Sequence, residues 1–178
     1  VGTLSKGKKV LNLFCYTGGF SSYALHGGAT EVISVDISRN AMTGTDRNIE
    51  LLNASGTHTS ITADVMKYAK EMPEDADIVI VDPPAFAKNR KAKHNAVIGY
   101  KRLNTMVAER MKPGSILFTY SCSQVVDTAL FRNTIVSAVL AAGKRARILH
   151  QLHQPADHPV NLLHPESEYL KGLVLRIE

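Results

Sequence analysis

Cysteine is scarce: the 178 residues hold only Cys15 and Cys122, and nothing near either has the spacing of a metal site or a disulfide framework. No metal is expected, and a reducing compartment, the cytoplasm, is the expected setting. No apolar run approaches the ~18 residues of a membrane span, and no charged-then-apolar signal segment opens the chain. Neither a membrane nor a secreted location is therefore expected. Repeats, low-complexity tracts and internal linkers are missing too, which leaves one domain over residues 1–178. A chain of this length with 44% hydrophobic residues can bury a full core. The chain opens on Val1 rather than Met and reaches its first apolar run almost at once, which suggests a fragment of a longer protein. Acidic residues are outnumbered, 16 against 21 Lys plus Arg, and the resulting charge of +5 mildly favours a polyanionic partner.

What is present is a series of short apolar runs that end in polar punctuation. Val10 to Phe14 reads as a buried strand, and Thr17-Gly18-Gly19 supplies a tight turn into a short helix, Ser21 to His26, stopped by Gly27-Gly28. Glu31 to Val35 is a second strand ending at Asp36. Ser38 is placed to cap the following helix, in which Met42, Ile49 and Leu52 have helical spacing and Gly44 is a weak point. Ser60 to Ala63 ends a third strand at Asp64; a fourth, Ile78 to Val81, ends at Asp82-Pro83-Pro84. A polar loop is expected over Ala87 to Asn95, then a helix from Val97 to Met111 and a fifth strand, Ile116 to Tyr120, leading to Ser121-Cys122-Ser123. Phe131, Ile135, Val139 and Ala142 share one helix face, and Ala146 to Leu152 and Leu173 to Ile177 complete seven strands. Strands alternating with helices predict a doubly wound, mostly parallel α/β sheet.

In such a sheet, ligands bind beyond the carboxyl ends of the strands, where strand order reverses. A dinucleotide would call for G-x-G-x-x-G after the first strand, and this chain has only Gly18 and Gly19. Asp36 is placed to accept hydrogen bonds from ribose hydroxyls and Asp64 from an adenine amine. An adenosine with a tail lacking phosphates fits, and S-adenosylmethionine is such a ligand. Taken singly, each aspartate could merely cap a helix; it is the ordered set that points to a cofactor.

The stretches LNLFCYTGGFS (Leu11 to Ser21), SVDIS (Ser34 to Ser38), DPPAF (Asp82 to Phe86), GYKRLN (Gly99 to Asn104), TYSCS (Thr119 to Ser123), ADHPV (Ala156 to Val160) and YLKGL (Tyr169 to Leu173) span nearly the whole chain. Together they make the chain resemble the methyltransferase domain of the RlmI-type ribosomal RNA methyltransferases, which act at carbon 5 of cytosine. The resemblance implies a Rossmann-like class I methyltransferase fold, ribosomal RNA as partner, and S-adenosylmethionine contacts at Phe14, Tyr16, Thr17, Gly18, Asp36, Asp64 and Asp82. It also implies an upstream RNA-binding domain that this chain lacks. Homodimerisation is left open.

The chemistry has its own logic. Carbon 5 of cytosine is a poor nucleophile until a thiolate adds to carbon 6, after which a base removes the carbon 5 proton and the thiol departs. The ends of the fourth and fifth strands supply Asp82 and Cys122 as the polar partner and the nucleophile. A free thiol has a pKa of about 8.5, so a nearby cation is needed, and Lys88 or Arg90 is the expected source. These two also suit phosphate contact, while Pro83, Pro84 and Phe86 would meet a flipped base. Cys15 reads as a packed small hydrophobe. Three alternatives stay open: methylation of a base amino group, a related guanine methylation, and a silent module that only binds cofactor and RNA. Cys122 would be idle in each.

Overall fold

The computed structural model of the chain describes residues 1–87 and 89–178, the side chains of Arg90 and Pro165 excepted. Seven strands form one sheet: β1 (Lys9–Leu13), β2 (Glu31–Asp36), β3 (Thr57–Thr62), β4 (Ile78–Val81), β5 (Ile116–Ser121), β6 (Ala146–Leu152) and β7 (Lys171–Ile177). Their order is β3-β2-β1-β4-β5-β7-β6. The first five run parallel, and β7 is antiparallel to both β5 and β6. Strand order reverses between β1 and β4, so the switch point lies at their carboxyl ends. The doubly wound expectation holds in full.

Apolar runs without alternation mark strands covered on both faces, and β1 and β4 show this plainly. Ile78, Val79, Ile80 and Val81 are all fully buried. On one face, Val10, Val32, Ile78, Ile80, Phe118 and Val174 pack with Ala24 and Leu25 of helix α1 (Gly19–His26), and Ile49 and Leu52 of α2 (Arg39–Leu52) join them. The opposite face carries Leu11, Leu13, Val79, Val81, Leu117, Leu173 and Leu175. These meet Val65 of the short α3 (Val65–Tyr68), Tyr100, Leu103 and Val107 of α4 (Lys93–Arg110), and Phe131, Ile135 and Val139 of α5 (Thr128–Ala141). Under α1 the core holds a polar relay. Asn12 donates to Ser21 Oγ at 2.9 Å, Ser21 and Ser34 hydroxyls meet at 2.7 Å, and Ser34 meets His58 Nε2 at 2.8 Å.

Ser38 caps α2 as expected, its hydroxyl accepting from Ala41 N at 3.3 Å. Gly44 does not break that helix. Its role is spatial, because a Cβ there would stand 3.3 Å from Thr17 Cγ2 in the loop after β1. The predicted loop Ala87 to Asn95 is shorter than expected: a 3-10 turn occupies Arg90–Ala92 and α4 already begins at Lys93. Asn89 Oδ1 accepts from Ala92 N at 3.2 Å, and the burial of Ala96 and Tyr100 anchors the added turn. The third strand opens at Thr57, whose N–H donates to Thr30 O and starts the ladder with β2.

Candidate active site

The loop from β1 to α1 holds an unusual backbone. Phe14, Tyr16 and Gly18 have φ of 61°, 50° and 79°, so every second residue lies in the left-handed region. For side chains such as Phe and Tyr this costs about 1–3 kcal/mol each and persists only where the surroundings enforce it. Helix α2 does the enforcing: Thr45 Oγ1 donates to Tyr16 O at 2.8 Å and Asn48 Nδ2 to Thr17 O at 2.8 Å. A Cβ at Gly18 would lie 2.6 Å from Thr45 Cγ2, so no side chain fits between loop and helix.

Asp36, at the end of β2, is fixed by this loop. Its Oδ2 accepts from Tyr16 N at 3.0 Å and its Oδ1 from Ser38 N at 2.9 Å. Each oxygen keeps a lone pair for a further donor, as a ribose diol requires. Beside it stand two exposed apolar side chains, Tyr16 at 71% and Ile37 at 69%. Asp64 is exposed and serves as N-cap of α3, its Oδ1 accepting from Met66 N at 2.8 Å and Lys67 N at 3.3 Å. The capping role set against it in the sequence is therefore real for Asp64, and it leaves Oδ2 outside those bonds. The oriented diol acceptor, its apolar neighbours and the closed Gly18 turn fit an adenosyl group and offer no cradle for a pyrophosphate.

Across the switch point lies the second half of the site. Asp82 follows β4, with its backbone N–H directed at Leu13 O, and burial pushes its carboxyl up to about 6. Pro83 is buried, Pro84 is exposed, and the Cys122 thiol lies 3.9 Å from Pro83 O. Cys122 is half-buried. It opens on a cavity of about 220 Å³ lined also by Ala85, Ala87, Gln124 and Tyr169. Burial, then the charge of Asp82, pushes the thiol up, while the ammonium of Lys171 pulls it down. Cys15 is the contrasting case: buried against Met42 and pushed up by burial to about 11, it is a packed thiol.

Three elements hold the turn that bears Cys122. Ser121 Oγ donates to the Tyr100 hydroxyl of α4 at 3.0 Å and accepts from Ser123 N at 3.3 Å. Ser123 Oγ donates to Ala87 O at 2.9 Å, tying the turn to the segment after Asp82-Pro83-Pro84. From β7, Lys171 Nζ donates to Ser123 O at 2.7 Å and Val126 O at 2.6 Å. Phe86 leans inward, its ring 4.7 Å from that of Tyr100. The aromatic on the cavity is instead Tyr169. Its backbone is held by Gln154, whose Oε1 accepts from Tyr169 N and Leu170 N and whose Nε2 donates to Ser167 O and His158 O. The remaining expected contacts, Lys88 and the Arg90 side chain, lie outside the described residues.

Lys171, Gln154, Tyr169 and Ile37 escaped the reading of site residues from sequence. Lys171 carried one signal, an ionisable residue at the head of the apolar run Leu173 to Leu175. Gln154 carried none, because its partners lie along an irregular connection.

A doubly wound sheet with an adenosyl-type cradle at its switch point, and an Asp-Pro-Pro turn facing a cysteine beside it, defines a Rossmann-like class I methyltransferase domain. The comparisons agree with that class. The family model described as S-adenosylmethionine-dependent methyltransferase matches residues 1–175, and the chain belongs to that family. Among curated relatives it is 43% identical over 176 residues to ribosomal RNA large subunit methyltransferase I of Aeromonas hydrophila, covering 97% of this chain and 44% of the relative. The protein of the same name from Tolumonas auensis is 42% identical over 179 residues, with 98% and 45% covered. The chain thus spans under half the length of these relatives. Among solved structures, a protein assigned as a methyltransferase and complexed with SAH superimposes with a TM-score of 0.82 at 26% identity, covering 97% of this chain and 46% of that one. A second, from Streptococcus mutans, gives 0.82 at 25% identity, with 98% and 46% covered.

Proposed function

We propose that the chain is the catalytic domain of an enzyme that methylates carbon 5 of a cytosine in large-subunit ribosomal RNA. The observation that carries this reading is the thiol of Cys122 on an open cavity beside Asp82, at the same sheet edge as the adenosyl cradle. Bound S-adenosylmethionine supplies an electrophilic methyl group. Asp36, with Tyr16 and Ile37, would hold its adenosyl moiety, and Asp64 would reach the adenine amine. As its thiolate, Cys122 adds through sulfur to carbon 6 of the flipped base, and the electron pair pushed into the ring makes carbon 5 nucleophilic enough to take the methyl group. Asp82, ionised above about pH 6, serves as the polar partner of the thiol and accepts the carbon 5 proton. Elimination of the Cys122 thiolate then restores the ring. Tyr169 offers the base a stacking face, and the exposed Pro84 borders its entry.

Two features of the relatives support the substrate: their names specify large-subunit ribosomal RNA, and they have more than twice this length. Additional length would supply the RNA contacts that fix register, which a net charge of +5 does not. No helix among the described residues is long and apolar enough to cross a membrane, and two unpaired thiols suit a reducing cytoplasm.

The test uses a chain extended to the relatives' length and RNA carrying 5-fluorocytosine, from which the carbon 5 substituent cannot leave as a proton. A covalent complex through Cys122 is expected. Cys122→Ala should form none and should not methylate, yet should still bind the cofactor. Methylation by Cys122→Ala at the parental rate would replace this reading with amino-group or guanine methylation.

A further inference from the structure

A buried charge on β7 braces the Cys122 turn. Lys171 is 7% exposed, and its ammonium touches two neutral carbonyls, Ser123 O and Val126 O. Among the described residues no carboxylate pairs with it as an ion pair, whereas Lys9 has Glu31 and Asp75 and Lys112 has Asp77. A buried ammonium without a counter-ion is costly, and fixed carbonyl dipoles offset only part of that cost. The position is a consequence of topology. Because β7 runs against β5, its first residue pairs with the last residue of β5: Lys171 lies opposite Ser121, one residue before Cys122.

We propose that Lys171 is the positioning residue that arms Cys122, its fixed ammonium acting as counter-charge to the thiolate while the same two hydrogen bonds set the turn that aims the sulfur. This rests on the reading of Cys122 as nucleophile. The groups facing the thiol are Asp82 from the β4 end, Tyr100 from α4 and Lys171 from β7, with Asp127, the N-cap of α5, near Lys171. Asp82 opposes ionisation of the thiol and Lys171 favours it. An anion on sulfur is thus stabilised from the β7 side. When carbon 6 takes the sulfur's electron pair the charge passes to the base, and when the thiolate leaves it returns to the same ammonium. No proton need leave Lys171 at any step.

The test is the pH profile of iodoacetamide alkylation of Cys122, in a full chain carrying Cys15→Ser so that one thiol reports. Lys171→Gln keeps an amide donor for the carbonyls without the charge, and Lys171→Arg keeps the charge. An opposite charge within about 4–6 Å shifts a titration by about one unit or more. The Gln variant should alkylate about tenfold more slowly at pH 7, with its midpoint moved up, while the Arg variant stays near the parent. A Gln variant that is folded and alkylates with the parental midpoint would overturn the proposal. If the Gln variant does not fold, the coupling is read from the other partner. Carbon-13 NMR at Lys171 Cε should show the ammonium titrating at lower pH in Cys122→Ser than in the parent, and identical midpoints would sink the idea. Failure of the nucleophile reading looks different, because Cys122→Ala would then methylate whatever the alkylation profiles show.

Discussion

Burial of Asp82 makes the stability of the fold depend on pH. Its carboxyl titrates at about 6 in the fold against 3.8 when unfolded, because burial disfavours the charged form. Between those values the native state holds the proton more tightly than the unfolded chain does. Stability therefore falls as pH rises from about 4 to about 6 and stays lower above. A shift of two units corresponds to roughly 2–3 kcal/mol as an upper bound. Asp82→Asn should accordingly melt at a higher temperature than the parent at pH 7.5 and with little difference at pH 4, a comparison that thermal scans settle. The same variant should lose most methyl transfer, and the acid limb near pH 6 in the parent's rate profile should vanish with it. At this scale the places of Asp36, Asp82 and Cys122 at the ends of their strands were legible in the sequence, since a residue's place after an apolar run is a local property. The cation expected near the thiol, Lys88 or Arg90, lies outside the described side chains; Lys171 could not be read locally, because it stands 48 residues from the carbonyl of Ser123 that it grips, and only the reversed strand brings them together.

Between β1 and α1 the two adjacent glycines look alike in the sequence and differ in space. Gly18 has φ 79° and no room for a Cβ, whereas Gly19 opens α1 with nothing within 4 Å of a Cβ. Gly18→Ala combines left-handed strain of about 1–2 kcal/mol with a collision against Thr45. It should lower stability by at least that much and weaken S-adenosylmethionine binding at least tenfold in calorimetric titration. Gly19→Ala should leave binding unchanged within twofold and gain up to ~1 kcal/mol of helix stability. Equal binding by both variants would show that the loop conformation is not what holds the cofactor. Helix α2 illustrates the limit of local reading here. Gly44 looked like a weak point by propensity, and its use appears only once Thr17 is seen packed against it. The extra turn at the start of α4 was hidden for a similar reason, its polar residues masking the burial of Ala96.

For the molecule as a whole, strand order and cofactor class go together. The chain should bind S-adenosylmethionine or S-adenosylhomocysteine in calorimetry and show no micromolar affinity for NAD, since nothing after β1 cradles a pyrophosphate. It should methylate ribosomal RNA far more slowly by itself than when extended to the relatives' length, and equal rates would place RNA recognition within these 178 residues. The sheet was legible because apolar runs and punctuation report strands directly. The reversal of β7 was not, because parallel and antiparallel buried strands share one composition. That reversal also divides the site between distant stretches of the polypeptide. Every residue of the cradle around Asp36 precedes β4, whereas the clamp on the Cys122 turn comes from β7. A chain cut before Lys171 would keep the first set and lose the two hydrogen bonds that fix the turn, so the two halves of the site can be uncoupled by a single truncation.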